Sequence, residues 1–219
     1  MAFQEMSRAE KAVVVLSYVL RASIAAAIVG AAWKAQWLTL FLASFILILT
    51  FLPFFLQRRH HVHLPTEFEL AIVVFIYAAL FLGEVHAYYT QLWWWDLVLH
   101  AGSGLLFGFA GFLIIYTLNY QVRLQLKMAP GYVALFGFTF AVAAGAIWEI
   151  FEFVMDASFG LNMQTSGLLD TMGDLIVDAL GALLVSVLGY LYLKKGSAPV
   201  LTRLVRLFVE KNPGMFGKG

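Results

Sequence analysis

The sequence predicts an all-α polytopic membrane bundle of six transmembrane helices, a single integral membrane domain over residues 1–219 with both termini cytoplasmic. Three observations carry this. Hydrophobic residues make up 62% of the chain and charged residues only 12%, where a soluble domain carries about 25% charged. Hydropathy falls into six apolar runs, about 12–32, 36–56, 68–87, 97–118, 132–155 and 170–193, each near the roughly 20 residues that cross about 30 Å of hydrocarbon. Basic residues occupy alternate connections: Arg8 and Lys11 before the first run, Arg58 and Arg59 after the second, Arg123 and Lys127 after the fourth, Lys194 and Lys195 after the sixth, whereas the other connections contain only Lys34. That alternation puts those connections on the cytoplasmic side.

Composition also excludes. With no cysteine there is no disulfide and no thiolate ligand or nucleophile. A net charge of +1 without an arginine-rich, aromatic-interleaved stretch argues against a nucleic-acid partner. Membrane lipids are the expected partner.

The first run follows a basic flank but lacks a small-residue cleavage site, so it reads as a retained span rather than a signal peptide. Arg21 lies halfway along it. Two readings apply: an arginine snorkelling or half-buried beside a wet crevice, or the charge partner of an acidic group. Pro53 and Pro65 suit helix termini. Between spans two and three, His60, His61 and His63 could bind a transition metal, although the adjoining arginines favour a solvated loop facing headgroups. Span three ends in Glu84 and His86, two apart and so on different faces; Glu84 is the expected inward residue. Tyr88, Tyr89, Trp93, Trp94 and Trp95 form an interfacial aromatic belt.

Span four brings Asp96 and His100 onto one face at i and i+4, followed by Gly104, Gly108 and Gly111. Span five carries Gly137, Ala141 and Gly145. These small-residue faces allow close helix packing, within the chain or between copies in a homo-oligomer. Glu149, Glu152 and Asp156 share a face of span five, while Asp170, Asp174 and Asp178 lie on a broad face of span six. Residues 200–211 read as an amphipathic helix on the cytoplasmic surface, with Leu201, Leu204, Val205 and Phe208 as its apolar stripe.

By this topology the acidic groups converge on the outer half of spans three to six, which predicts an outward-facing acidic vestibule. Like charges disfavour one another, so protons, a cation or water must offset them. The expected ligands are Glu84, Asp96, His100, Glu149, Glu152, Asp174 and Asp178. Oxygen donors with one imidazole suit a divalent Mg, Mn, Fe or Zn ion. Glu149 and Glu152 are candidate general bases, with His100 as ligand or proton shuttle, for metal-assisted hydrolysis or transfer on a lipid-linked substrate. The paired Glu-x-x-His signature of di-iron bundles is absent, and neither Ser103 nor Ser166 stands in a GxSxG context. Two alternatives stay open: a small proton- or cation-coupled transporter, and a non-catalytic structural membrane protein.

The run GAIWEIFEF from Gly145, the run DTMGDLIVDALGA from Asp170 and the preceding Asp96, His100 and Gly104 resemble the YjdF-like family of small bacterial inner-membrane proteins. The matching positions are Asp96, His100, Trp148, Glu149, Glu152, Asp170, Thr171, Asp174 and Gly181, over spans three to six. The resemblance implies a multi-pass protein of the bacterial inner membrane and carries no activity with it. A looser likeness to VanZ-like membrane proteins stops at span six, which has no asparagine.

Overall fold

The computed structural model describes residues 8–120, 126–164 and 167–217. Arg123 and Ser166 lie outside the described residues. The protein is an all-α polytopic membrane bundle whose six long apolar helices or helical runs are Glu10–Trp33, Trp37–His60, Thr66–Val85, Trp95–Tyr120, Pro130–Phe159 and Leu168–Lys195. Each overlaps one predicted span. The chain divides into two compact units, Met1–Trp95 and Asp96–Gly219.

The first unit contains α1 (Arg8–Trp33), α2 (Trp37–Leu49), α3 (Leu52–His60), α4 (Thr66–Ile76), a π-helical run (Tyr77–Val85) and the short α5 (Tyr88–Gln91). Its core gathers Ile24, Ala43, Ile46 and Phe81, with Tyr77 and Leu80 packed on them. Pro53 sits in the first turn of α3, where its missing N–H and ring interrupt the second span between α2 and α3. Arg21 answers that interruption. Its guanidinium donates to Thr50 Oγ1 at 3.2 Å and to the Thr50 carbonyl at 2.8 Å, and lies 4.6 Å from the Phe51 ring centroid. Broken spans survive in lipid when a neighbouring helix satisfies the freed backbone in this way. Arg21 is thus half-buried and structural, with Glu69 in its electrostatic reach.

His60, His61 and His63 are exposed, and His61 ends α3 in the left-handed conformation. Glu84 is a correction. Expected to face inward, it is exposed. The expectation rested on the cost of an acid in lipid, and Glu84 stands one residue from the end of its span at Val85, where that cost no longer forces it inward.

The second unit contains α6 (Trp95–Tyr120), α7 (Pro130–Phe159), α8 (Leu168–Lys195), α9 (Leu201–Lys211) and α10 (Pro213–Phe216). Ala129 is extended and Pro130 opens α7, while Gly160 at φ 65° and Gly196 at φ 76° end α7 and α8, as helix ends favour. Asn119 pairs with both backbone groups of Met128, joining the end of α6 to the approach to α7. In the tail, Leu201, Val205 and Phe208 are buried, and Phe216 reaches both Phe208 and Tyr116 of α6 at 6.0 Å between centroids.

The glycine faces are filled by the chain's own helices. A methyl on Gly181 would lie 2.6 Å from the Ala101 carbonyl oxygen, one on Gly137 3.2 Å from the Gly108 oxygen, and one on Gly104 against the Asp178 carbonyl. α6 therefore packs backbone on backbone against both α7 and α8. Gly181→Ala is expected to cost about 2 kcal/mol, the typical cost of overpacking, read as a lowered unfolding midpoint of the purified protein in detergent.

Candidate metal centre

Glycine seams set the depth of the centre. Gly104 and Gly145 face Asp178 from α6 and α7; a methyl at Gly145 would strike the Asp178 carboxylate. Gly104 lets α6 approach the α8 backbone at Asp178, and Gly145 leaves the space on α7 in which this carboxylate sits, the residue being 1% exposed. His100 meets it there, with Nδ1 at 3.0 Å from Asp178 Oδ2. Ser103 Oγ contacts the other oxygen, Oδ1, and stands 2.9 Å from the His100 carbonyl. Asp178 thus has both oxygens engaged, and His100 is held at one nitrogen.

In the neutral tautomer whose Nδ1–H donates to Asp178, the other nitrogen is an acceptor open to a metal ion. It faces acids. His100 Nε2 is 3.6 Å from Asp96 Oδ1 and 3.6 Å from Glu149 Oε1. One ligand atom from each of Asp96, His100 and Asp174 lies within 4.8 Å of the others. Donors about 2.1 Å from a tetrahedral ion stand about 3.4 Å apart, so atoms within 4.8 Å of one another are near enough to converge on a single ion. Glu149 Oε1 is buried without a hydrogen-bond partner, a state that is costly unless something else engages the oxygen. The buried Asp/His cluster is able to coordinate a divalent metal ion.

The remaining polar groups arrange the ends of α7 and α8. Trp148 Nε1 donates to Glu152 Oε1 at 3.0 Å. Asp156 accepts from the backbone N–H groups of Met163 and Gln164 at 2.8 and 2.9 Å, which makes it a clamp for the connection rather than a member of the centre. Gln164, so placed, reaches Thr171 Oγ1 at 2.7 Å and Glu149 Oε2 at 3.4 Å. Asp156→Ala is expected to cost about 1–2 kcal/mol through two lost charge-assisted bonds, seen as faster amide exchange at Met163 and Gln164.

This geometry corrects the outward-facing vestibule. His100, Glu149, Glu152, Asp174 and Asp178 are each no more than 7% exposed, and only Asp96 is partly open, at 28% of its side chain. Among the described residues two features bury the cluster: the glycine seams draw α6, α7 and α8 into contact, and Gln164 Nε2 bonds to Glu149 Oε2 at 3.4 Å. Metal-assisted hydrolysis of an externally supplied lipid-linked substrate loses its basis here, because such a substrate needs an access that the packing closes. The structure brings together Asp96, His100, Glu149, Asp174 and Asp178 on three helices; Glu152 stands beside them on α7, held by Trp148, and Glu84 belongs to the other unit.

Sequence reading overlooked Ser103, Gln164 and Thr171 as partners. Ser103 had a signal, one turn beyond His100 on a glycine-rich face. Gln164 had none, since its reach depends on a turn that Asp156 fastens.

Residues 16–195 match the model of a family described as predicted membrane protein, DUF2238. The chain belongs to this family. The match takes in all the residues of the centre and most of the described helices, and it is not specific to the YjdF-like or VanZ-like groups. No curated protein and no solved structure matches the chain. Membership establishes a multi-pass membrane protein of a family defined by sequence and membrane character, so function rests on the centre itself.

Proposed function

We propose that the protein binds one divalent cation inside the membrane, held by Asp96, His100 and Asp174 with Glu149 as the fourth donor. The observation that supports it best is the division of labour at His100. One ring nitrogen is tied to a buried carboxylate and the other is turned toward acidic oxygens, the carboxylate–histidine–metal arrangement of many protein metal sites. Glu149 Oε1, buried and without a hydrogen bond, completes the donor set. Carboxylate oxygens with one imidazole select Zn, Mn or Fe over thiophilic ions, and Mg fits less well because it keeps several waters.

The ion's effect in this reading is to neutralise carboxylates and to tie α6, α7 and α8 together. Glu149 and His100 act as ligands, and Glu152 is an outer carboxylate. The protein's place is the bacterial inner membrane with both termini cytoplasmic, a reading supported by the basic residues flanking the spans.

Elemental analysis of detergent-purified protein tests the proposal. One ion per chain is expected in the native protein, with less than a tenth of that in Glu149→Gln and Asp174→Asn, since removing one ligand of four costs at least the 10–100-fold seen for outer-shell partners. Protein loaded with Zn or Mn that releases it fully on desalting would overturn it, as would full retention by both variants.

A further inference from the structure

At the other end of α7 and α8 lies a second feature that the metal centre does not use. Gly131, Ala134 and Leu135 of α7 face Leu183, Val187 and Tyr190 of α8 across an apolar groove of about 310 Å³. It runs about 10 Å along the helices at 1.5 Å per residue. Its one side-chain hydroxyl within the apolar stretch is already engaged: Ser186 Oγ donates to the Ala134 carbonyl at 2.8 Å. The groove is shaped by missing bulk, since a methyl on Gly131 would meet nothing within 4 Å.

The groove ends at cations. Tyr190 lines it, and Lys194 Nζ donates to the Tyr190 hydroxyl at 3.1 Å while lying 5.3 Å from the ring centroid. Lys195 follows in the last turn of the same helix, and both lysines are exposed. An apolar slot that finishes in positive charge is complementary to an amphiphile with an anionic head.

We propose that this groove binds one anionic phospholipid, an acyl chain lying between α7 and α8 and the phosphate meeting Lys194 and Lys195. Charge decides against a second copy of the chain. Two copies related by a two-fold axis along the membrane normal would bring the same ends together and set lysines against lysines, whereas an anionic head gains about fivefold in binding for each lysine near the surface.

The test uses the full-length protein in mixed micelles of phosphatidylglycerol and phosphatidylcholine with identical acyl chains, bound lipid being counted by native mass spectrometry. One phosphatidylglycerol per chain is expected, preferred about 25-fold over phosphatidylcholine, fivefold for each of the two lysines. Lys194→Gln with Lys195→Gln should remove the preference. Val187→Trp, at a position 47% exposed, should fill the groove and remove the adduct with the unfolding midpoint unchanged; Gly131→Leu serves if that variant does not fold. Equal retention of the two lipids by the native protein would overturn the proposal. So would an adduct that survives both groove-filling variants, competition by deacylated glycerophosphoglycerol equal to that of the intact lipid, or a dimer dispersed by Val187→Trp.

Discussion

Replacing His100 by alanine is expected to abolish metal retention and to lower stability by about 3–5 kcal/mol, the cost of removing one partner from a buried ionic group. The size follows from what the imidazole touches. It is the common neighbour of Asp96, Glu149 and Asp178, and with it gone Asp178 at 1% exposure and Glu149 at 4% stay in a slot sealed by helix backbones. Each must then give up its charge or remain buried without its partner, and both outcomes penalise the folded state. Elemental analysis and denaturant unfolding of the same detergent sample check the two effects together. Retention of one ion by His100→Ala would show that the carboxylates alone make the site, and an unchanged midpoint would show that the imidazole carries no structural load.

Chelation separates the ion from the side chain. If the centre is filled at about 100 times its dissociation constant, stripping the metal should cost about 2.7 kcal/mol in the native protein and nothing in His100→Ala. A chelator that leaves the native midpoint unmoved would place the stabilising role in the hydrogen bonds alone.

The bundle was legible because a span is a property of composition and length, and Thr66–Val85 or Trp95–Tyr120 differ from their predicted runs only at the ends. Part of the centre was legible for a local reason: Asp96 and His100 are one helical turn apart, and so are Asp174 and Asp178, so each pair shares a face whatever surrounds it. Access was not legible. Hydropathy places a residue at a depth but does not say whether water reaches it, and that depends on how closely three helices approach. Gly104 and Gly145 were visible as small residues able to pack within or between chains; that they and Gly181 pack α6, α7 and α8 together is a tertiary fact. Glu84 differs for another reason: the cost of an acid in lipid applies at depth, and this residue lies one position from the end of its span at Val85.

Asp178→Asn is expected to weaken metal binding by up to about 100-fold, or about 2.7 kcal/mol, while leaving one ion per chain at saturating metal. Asp178 does not need to touch the ion for this. Its Oδ2 accepts a hydrogen bond from His100 Nδ1 at 3.0 Å, which favours the tautomer that leaves Nε2 turned toward Asp96 and Glu149 and makes that nitrogen a better metal ligand. Asparagine is nearly isosteric and fits the space beside Gly145, so the helices keep their packing, but its neutral carbonyl is a weaker acceptor and its amide can turn to present a donor instead. The imidazole then loses both orientation and basicity while remaining in place. Competition with a chromogenic chelator separates this from loss of a ligand: a reduced affinity with unchanged stoichiometry identifies Asp178 as the group that positions His100, whereas loss of the ion at any concentration would make Asp178 a ligand itself. Ser103→Ala probes the next link, since Ser103 holds the other oxygen of the same carboxylate. Its effect should have the same sign and be several-fold smaller, because a neutral hydrogen bond to a carboxylate is worth less than the carboxylate it steadies.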